Sequence, residues 1–156
     1  MTKIIINAVN IHNGGGEVLL NQLISFLPNE DVIIFCSKKL KSKNKRGVKF
    51  IRIKSNLFSR FLSELSIYNK SKQNDKVLYF GNLPPIFKLR SYVYLFIQNR
   101  FLLDYSINLN EFPFYLKLKL IIMRLLLKIF NNNFSKYIVQ TDSMSRLVKK
   151  ELSDNV

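Results

Sequence analysis

The residues His12-Asn13-Gly14-Gly15-Gly16-Glu17 stand between a short apolar run and a stretch of helical spacing. Consecutive glycines let backbone N–H groups come close to a ligand, and the start of a helix favours negative charge. The pattern suits a phosphate, with Asn13, Gly14, Gly15 and Gly16 as the loop that meets it. It lacks the Lys-Ser/Thr pair of a P-loop. It also departs from a dinucleotide fingerprint. Gly14 and Gly16 fit, but Leu19 holds the place of the third glycine. No acid follows the second strand, where a ribose would be met. A tight strand-to-helix turn explains the same residues without a ligand. His12, the one histidine, suits an acid–base role beside the loop or a structural one. Glu17, Glu64, Asp104 and Glu111 are scattered, so spacing assembles no nucleophile–base pair and no paired carboxylates.

Two further segments carry charge in a pattern. Between Lys38 and Lys54 lie nine basic residues and no acid. They form either an electrostatic patch or a solvated loop. Along Phe114 to Phe130, at 100° per residue, Lys117, Arg124 and Lys128 fall within about 40° of one another, with Lys119 opposite. The remaining residues there are mostly Leu, Ile, Met and Phe. A basic stripe on so apolar a helix predicts a face that lies on an anionic membrane. A core helix whose cations snorkel to water fits the same pattern. Four charges inside the stretch argue against a transmembrane span.

These residues need a scaffold, and the chain is long enough to supply one. It has 156 residues, which suits a single domain over 1–156. A lone Cys36 excludes an intrachain disulfide, and with a lone histidine it excludes an ordinary structural zinc site. No metal is expected. The composition fits a reducing, cytoplasmic compartment, and the N-terminus lacks the apolar core of a signal peptide. With 25 Lys+Arg against 10 Asp+Glu, the net charge of +15 favours anionic partners. The Lys-, Asn- and Ile-rich, Trp-free composition of an AT-rich genome explains much of the same excess.

Strand and helix signals alternate. Strands are predicted over Lys3–Val9, Asp31–Cys36, Val48–Ile53, Lys76–Phe80, Tyr92–Gln98 and Lys136–Gln140. Helices are predicted over Glu17–Leu27, Leu57–Lys70, Phe114–Phe130 and Ser143–Leu152. The fold class that follows is α/β, a doubly wound, mostly parallel Rossmann-like sheet with helices on both faces. Ligands of such sheets bind beyond the carboxyl ends of the strands. That rule selects Asn10 to Glu17, Gly81 to Pro85, Gln98 to Asp104 and Thr141 to Ser143.

The strand–triglycine–helix opening is followed in order by Gly81-Asn82-Leu83-Pro84-Pro85, Phe96-Ile97-Gln98-Asn99-Arg100 and Tyr137-Ile138-Val139-Gln140-Thr141-Asp142-Ser143-Met144. In these features the chain resembles the N-terminal half of a GT-B glycosyltransferase of retaining family four, glycosyl transferase group 1. The resemblance covers essentially the whole chain. It implies a domain that binds the acceptor for sugar transfer from a nucleotide-sugar, in the synthesis of a bacterial surface polysaccharide. It implies no cofactor and no metal. The nucleotide-sugar would be held mainly by a C-terminal domain, which these residues do not include. Carried over by position, Gly14 to Gly16 face the donor diphosphate or acceptor. Asn82, Gln98, Asn99 and Arg100 line the acceptor side, and Thr141 and Ser143 sit near the cleft. Many members carry a histidine where this chain has Gln98-Asn99. The implied partners are a lipid-linked or glycan acceptor, the nucleotide-sugar, a separate C-terminal half, and the anionic inner face of the plasma membrane through Lys117, Arg124 and Lys128.

Two other readings compete. One is a basic nucleic-acid-binding module, although no helix-turn-helix, zinc finger or ribonucleoprotein signature is visible. The other is an accessory or vestigial fragment of a split glycosyltransferase.

Overall fold

The runs Ile4-Ile5-Ile6 and Val32-Ile33-Ile34-Phe35 are β-branched and aromatic, apolar on both faces, as central strands of a covered parallel sheet must be. In the computed structural model of the chain they pair side by side. The structure describes residues 2–11, 14–27, 31–41, 45–54 and 56–152. Six strands, β1 (Ile4–Ala8), β2 (Val32–Ser37), β3 (Val48–Ile53), β4 (Lys76–Phe80), β5 (Tyr92–Ile97) and β6 (Lys136–Val139), form one sheet in the order β3-β2-β1-β4-β5-β6. Every neighbouring pair is parallel. The fold is therefore α/β and Rossmann-like, and the predicted strands lie within a residue or two of those observed. The edge strands β3 and β6 expose Lys49, Arg52 and Lys136, charges that discourage pairing with another chain.

Among the described residues four α-helices cover the sheet: α1 (Gly14–Phe26), α2 (Leu57–Lys70), α3 (Phe114–Ile129) and α4 (Asp142–Glu151). Leu20 and Ile24 of α1 pack on Ile6, Ala8, Val32 and Ile34. The other face packs Ile67 of α2, Leu120 and Leu127 of α3, and Met144 and Val148 of α4 against Ile5, Phe35, Val77, Val93 and Leu95. Among the described residues the crossovers from β2 to β3 and from β4 to β5 contain no helix, and α1 is the one helix packed on its face of the sheet. In the first of these loops Lys45 donates from Nζ to the carbonyls of Ile24, Ser25 and Leu27, closing the C-terminal end of α1. Arg52 donates to Leu40 O at 2.9 Å. Two cations of the basic run thus hold the backbone rather than form a free patch. Lys43 lies outside the described residues.

The structure corrects the predicted membrane face of α3. Arg124 is buried, 9% exposed. Its Nε and Nη2 donate to Phe101 O at 3.0 and 2.7 Å, and Nη2 also donates to Asp104 O at 2.6 Å. Its guanidinium and the Lys128 ammonium lie over the Tyr105 ring, 4.5 and 4.8 Å from its centre. Lys117 donates to Asn110 Oδ1. The basic stripe therefore faces the Phe101–Asn110 segment of its own chain. Free carbonyls in that segment attract the cations more strongly than solvent does. The outward face of α3 is apolar instead, with Tyr115, Leu118, Ile121, Ile122, Leu125 and Ile129 all exposed. Among the described residues no helix is long and apolar enough to cross a membrane.

Arg124→Gln is expected to lower unfolding stability by about 2–3 kcal/mol, because two buried carbonyls lose a charged donor. Lys117→Gln should cost less than about 1 kcal/mol, as an exposed contact does. Urea unfolding of the two variants checks the contrast, and equal losses would restore the reading of one solvent-facing stripe.

Candidate functional site

Strand order reverses between β1 and β4. The chain leaves β1 for β2 on one side and leaves β4 for β5 on the other. A crevice must open where these connections diverge, outside the carboxyl ends of the two strands. A cavity of about 920 Å³ lies there. Asn10 and Ile11 after β1, and Gly81 and Asn82 after β4, form its floor. A Cβ on Gly81 would make an ordinary contact, 3.5 Å, with Asn10 Cβ in the segment after β1. One wall is the start of α2, with Asn56 and Arg60, and the opposite wall is α3, with Leu118, Lys119 and Ile122. Asn56 caps α2 by accepting from Ser59 N at 2.7 Å, which sets the helix start against the groove.

A buried polar network underlies this groove. Glu64, 1% exposed, projects from the second turn of α2. Its carboxylate accepts from Tyr79 Oη at 2.7 Å, Asn7 Nδ2 at 3.2 Å and Ile86 N at 3.4 Å. Asn7 Oδ1 in turn accepts from Val9 N at 3.4 Å. Burial pushes the Glu64 carboxyl above its ordinary range, and its hydrogen bonds and the nearby Arg60 charge only partly offset this. Burial also lowers the Arg60 guanidinium, opposed by the Glu64 charge. The Tyr79 hydroxyl is raised by burial and by the adjacent carboxylate. Glu64 does not line the groove itself, so it organises the walls rather than meeting a ligand.

The residues singled out from sequence take varied places. Gly14, Gly15 and Gly16 form the first turn of α1, not a loop before it, because the helix begins three residues earlier than predicted. Gly14 has φ +68°, a left-handed value that favours glycine. A Cβ on Gly16 would stand 3.1 Å from Ile11 Cδ1 and 3.2 Å from Gln98 Oε1, whereas Gly15 faces open space. Asn13 and His12 lie outside the described residues. Asn82, at φ +66°, accepts at Oδ1 from Gln98 N and Asn99 N, 2.6 and 3.0 Å away. It thereby fixes the end of β5 to the end of β4. Gln98 Nε2 is buried with no hydrogen-bond partner among the described residues. Asn99 caps a short 3-10 turn through Phe101 N. Arg100 pairs with Asp104 at 3.0 Å. Thr141 caps α4 through Met144 N and contacts the Ser143 hydroxyl. It lines a separate cavity of about 480 Å³ at the end of β6.

Among the described residues, then, Asn82 lines the groove of about 920 Å³, while Gly14, Gly15, Gly16, Gln98, Asn99, Arg100, Thr141 and Ser143 do not. Sequence reasoning missed Asn7, Arg60, Glu64 and Tyr79. One signal was available: Asn7 is the single polar residue within the Ile4–Ala8 strand. A buried amide there needs a partner, and its partner is Glu64. No cluster of three His, Cys, Asp or Glu side chains able to hold a metal exists among the described residues. The arrangement can bind an amphipathic or hydroxyl-bearing ligand beside a cation, and it presents no nucleophile–base pair. Comparison with protein-family models, curated proteins and solved structures finds no match to this chain.

Glu64 has a raised folded-state pKa, so its contribution to stability is present below its ordinary value of 4.5 and is lost as pH rises through the folded-state value. Relative to Glu64→Gln, the wild-type chain should therefore lose stability as pH is raised from 4 toward neutrality. Urea melts of both proteins across that range measure the difference; a constant offset would show that Glu64 is not perturbed. The glycines make a second test. Gly15→Ala should be neutral or stabilising by up to about 1 kcal/mol, as in a helix. Gly14→Ala should destabilise by about 1 kcal/mol through its left-handed φ. Thermal melts showing the reverse order would contradict this geometry of the first turn.

Proposed function

We propose that this chain is the acceptor-binding Rossmann-like domain of a GT-B glycosyltransferase of family four, acting in bacterial surface polysaccharide synthesis. The observation that carries the reading is the groove of about 920 Å³ at the point where strand order reverses. The order of motifs along the chain supports it as well. In this reading the acceptor, lipid-linked or a glycan, occupies the groove between α2 and α3. The nucleotide-sugar is held mainly by a second, donor-binding domain, on the same or a separate chain. The first turn of α1 directs backbone N–H groups toward the leaving diphosphate, where positive potential would stabilise developing charge. Arg100, paired with Asp104, is a weaker candidate for that task than its position in the sequence suggests.

The exposed apolar face of α3, with Lys119 beside it, favours a peripheral position on the inner leaflet. That contact would be made by this face, since Arg124 is engaged inside the domain.

The purified chain, given a radiolabelled nucleotide-sugar and a polyprenyl-diphosphate-linked sugar, is expected to transfer no label alone. It should nevertheless bind the lipid-linked sugar, with NMR shifts at Gly81, Asn82 and Lys119. Robust transfer by the chain alone would overturn the division into two domains. Tight binding of duplex DNA with a steep salt slope, and no response to the lipid-linked sugar, would favour the nucleic-acid reading instead.

A further inference from the structure

Arg60 poses a question that the Glu64 network leaves open. Its side chain is only partly exposed and lines the groove. The Glu64 carboxylate beneath it is already met by donors from Asn7, Tyr79 and Ile86. Among the described residues the Arg60 guanidinium makes no hydrogen bond and no ion pair at contact distance. This guanidinium balances the Glu64 charge nearby, yet its own donors stay unused among the described residues. It is a good choice for a planar, two-pronged grip on a phosphate or carboxylate. Lys119 supplies a second cation across the groove.

The rest of the groove is apolar. Leu118, Ile122 and Leu126 of α3 line it, and Leu118 and Ile122 are about half exposed at its mouth. The volume falls within the roughly 300–1,000 Å³ of small-molecule sites. A sugar-only ligand would leave this aliphatic wall against water. A free anion would leave it empty. One ligand chemistry satisfies both halves.

We infer that the α2–α3 groove binds a single-chain amphiphile with a phosphate head, the head on Arg60 with Lys119 nearby, and the chain along Leu118, Ile122 and Leu126. Arg60 is then the residue that selects an anionic head, and the α3 wall selects a chain. The site is argued from the groove itself. Only its role, seating the acceptor, rests on the function proposed above.

Dodecyl phosphate, titrated below its micellar concentration into the wild-type chain by calorimetry, is expected to bind saturably at one site. Decyl and octyl phosphate should bind progressively more weakly, by roughly two- to fourfold per methylene. Inorganic phosphate should bind at least a hundredfold more weakly, and dodecyltrimethylammonium not detectably. Arg60→Gln should weaken dodecyl phosphate at least tenfold and leave dodecanol unchanged. Should that variant fail to fold, two exposed positions decide. Lys119→Gln should weaken dodecyl phosphate a few-fold, and Ile122→Ser should weaken every chain length while leaving inorganic phosphate unchanged. Equal affinity for the cationic and anionic amphiphiles, inorganic phosphate binding as tightly as dodecyl phosphate, or no effect of these substitutions would overturn the inference. Saturable dodecyl phosphate binding without response to the lipid-linked sugar would keep the site and remove the acceptor role. A response to the lipid-linked sugar without dodecyl phosphate binding would do the opposite.

Discussion

The Glu64 carboxylate accepts hydrogen bonds from β1 through Asn7, from β4 through Tyr79, and from the segment after β4 through the Ile86 amide. One buried charge on α2 thereby joins the two strands that flank the point of strand reversal to the loop that leaves them. The crossover from β4 to β5 has no helix to hold it. Its course depends on polar contacts of this kind, together with the Asn82 amide at the start and Asn133 Nδ2, which donates to the carbonyls of Pro85 and Ile86 at 3.0 and 2.9 Å. A buried carboxylate is costly, and three donors with a guanidinium close by are what make it tolerable. The groove keeps its shape because these partners cannot be exchanged for water without leaving donors stranded.

Arg124 does for α3 what Glu64 does for α2. The two carbonyls it meets belong to the irregular segment after β5, where backbone groups lack a ladder partner. Satisfying them rotates α3 so that its cations face inward. The cost of that choice is borne outside, where a row of aliphatic side chains meets solvent. Helix orientation here is decided by buried backbone groups, and the distribution of surface charge follows from it. The result is an apolar wall with one cation, Lys119, at the mouth of the groove.

The same competition explains why several polar residues near the carboxyl edge do not reach a ligand. Asn99 and Thr141 each satisfy an amide at the start of a helical turn, and Arg100 closes an ion pair with Asp104 four residues on. Asp104 itself is held below the ordinary carboxylate range, first by the Ser106 hydroxyl and then by Arg100. Short polar side chains at strand ends have two uses, binding or capping, and capping is local and therefore always within reach. Among the described residues the Ser91 and Tyr105 hydroxyls and the Gln98 amide nitrogen are the exceptions, buried polar groups without a hydrogen-bond partner.

By itself the sequence determined the order and type of the elements. Apolar runs of four to six residues, broken by glycine or proline and alternating with helical spacing, allow little else than a parallel sheet with crossover helices. Asn7 within its isoleucines was a signal left unread, since the strand pattern does not say which partner meets it. Tertiary structure alone decided three things. It placed Arg60 and Glu64 of α2 beside Asn7 and Tyr79, contacts spanning fifteen to fifty-seven positions along the chain. It turned α3 so that Arg124 met two distant carbonyls. It drew the triglycine into the helix, with Gly16 pressed against Ile11 and Gln98. Periodicity reports which residues share a face of one element, whereas these outcomes depend on which unpaired groups of other elements that face will meet. That is settled only when the whole chain satisfies its buried hydrogen bonds together.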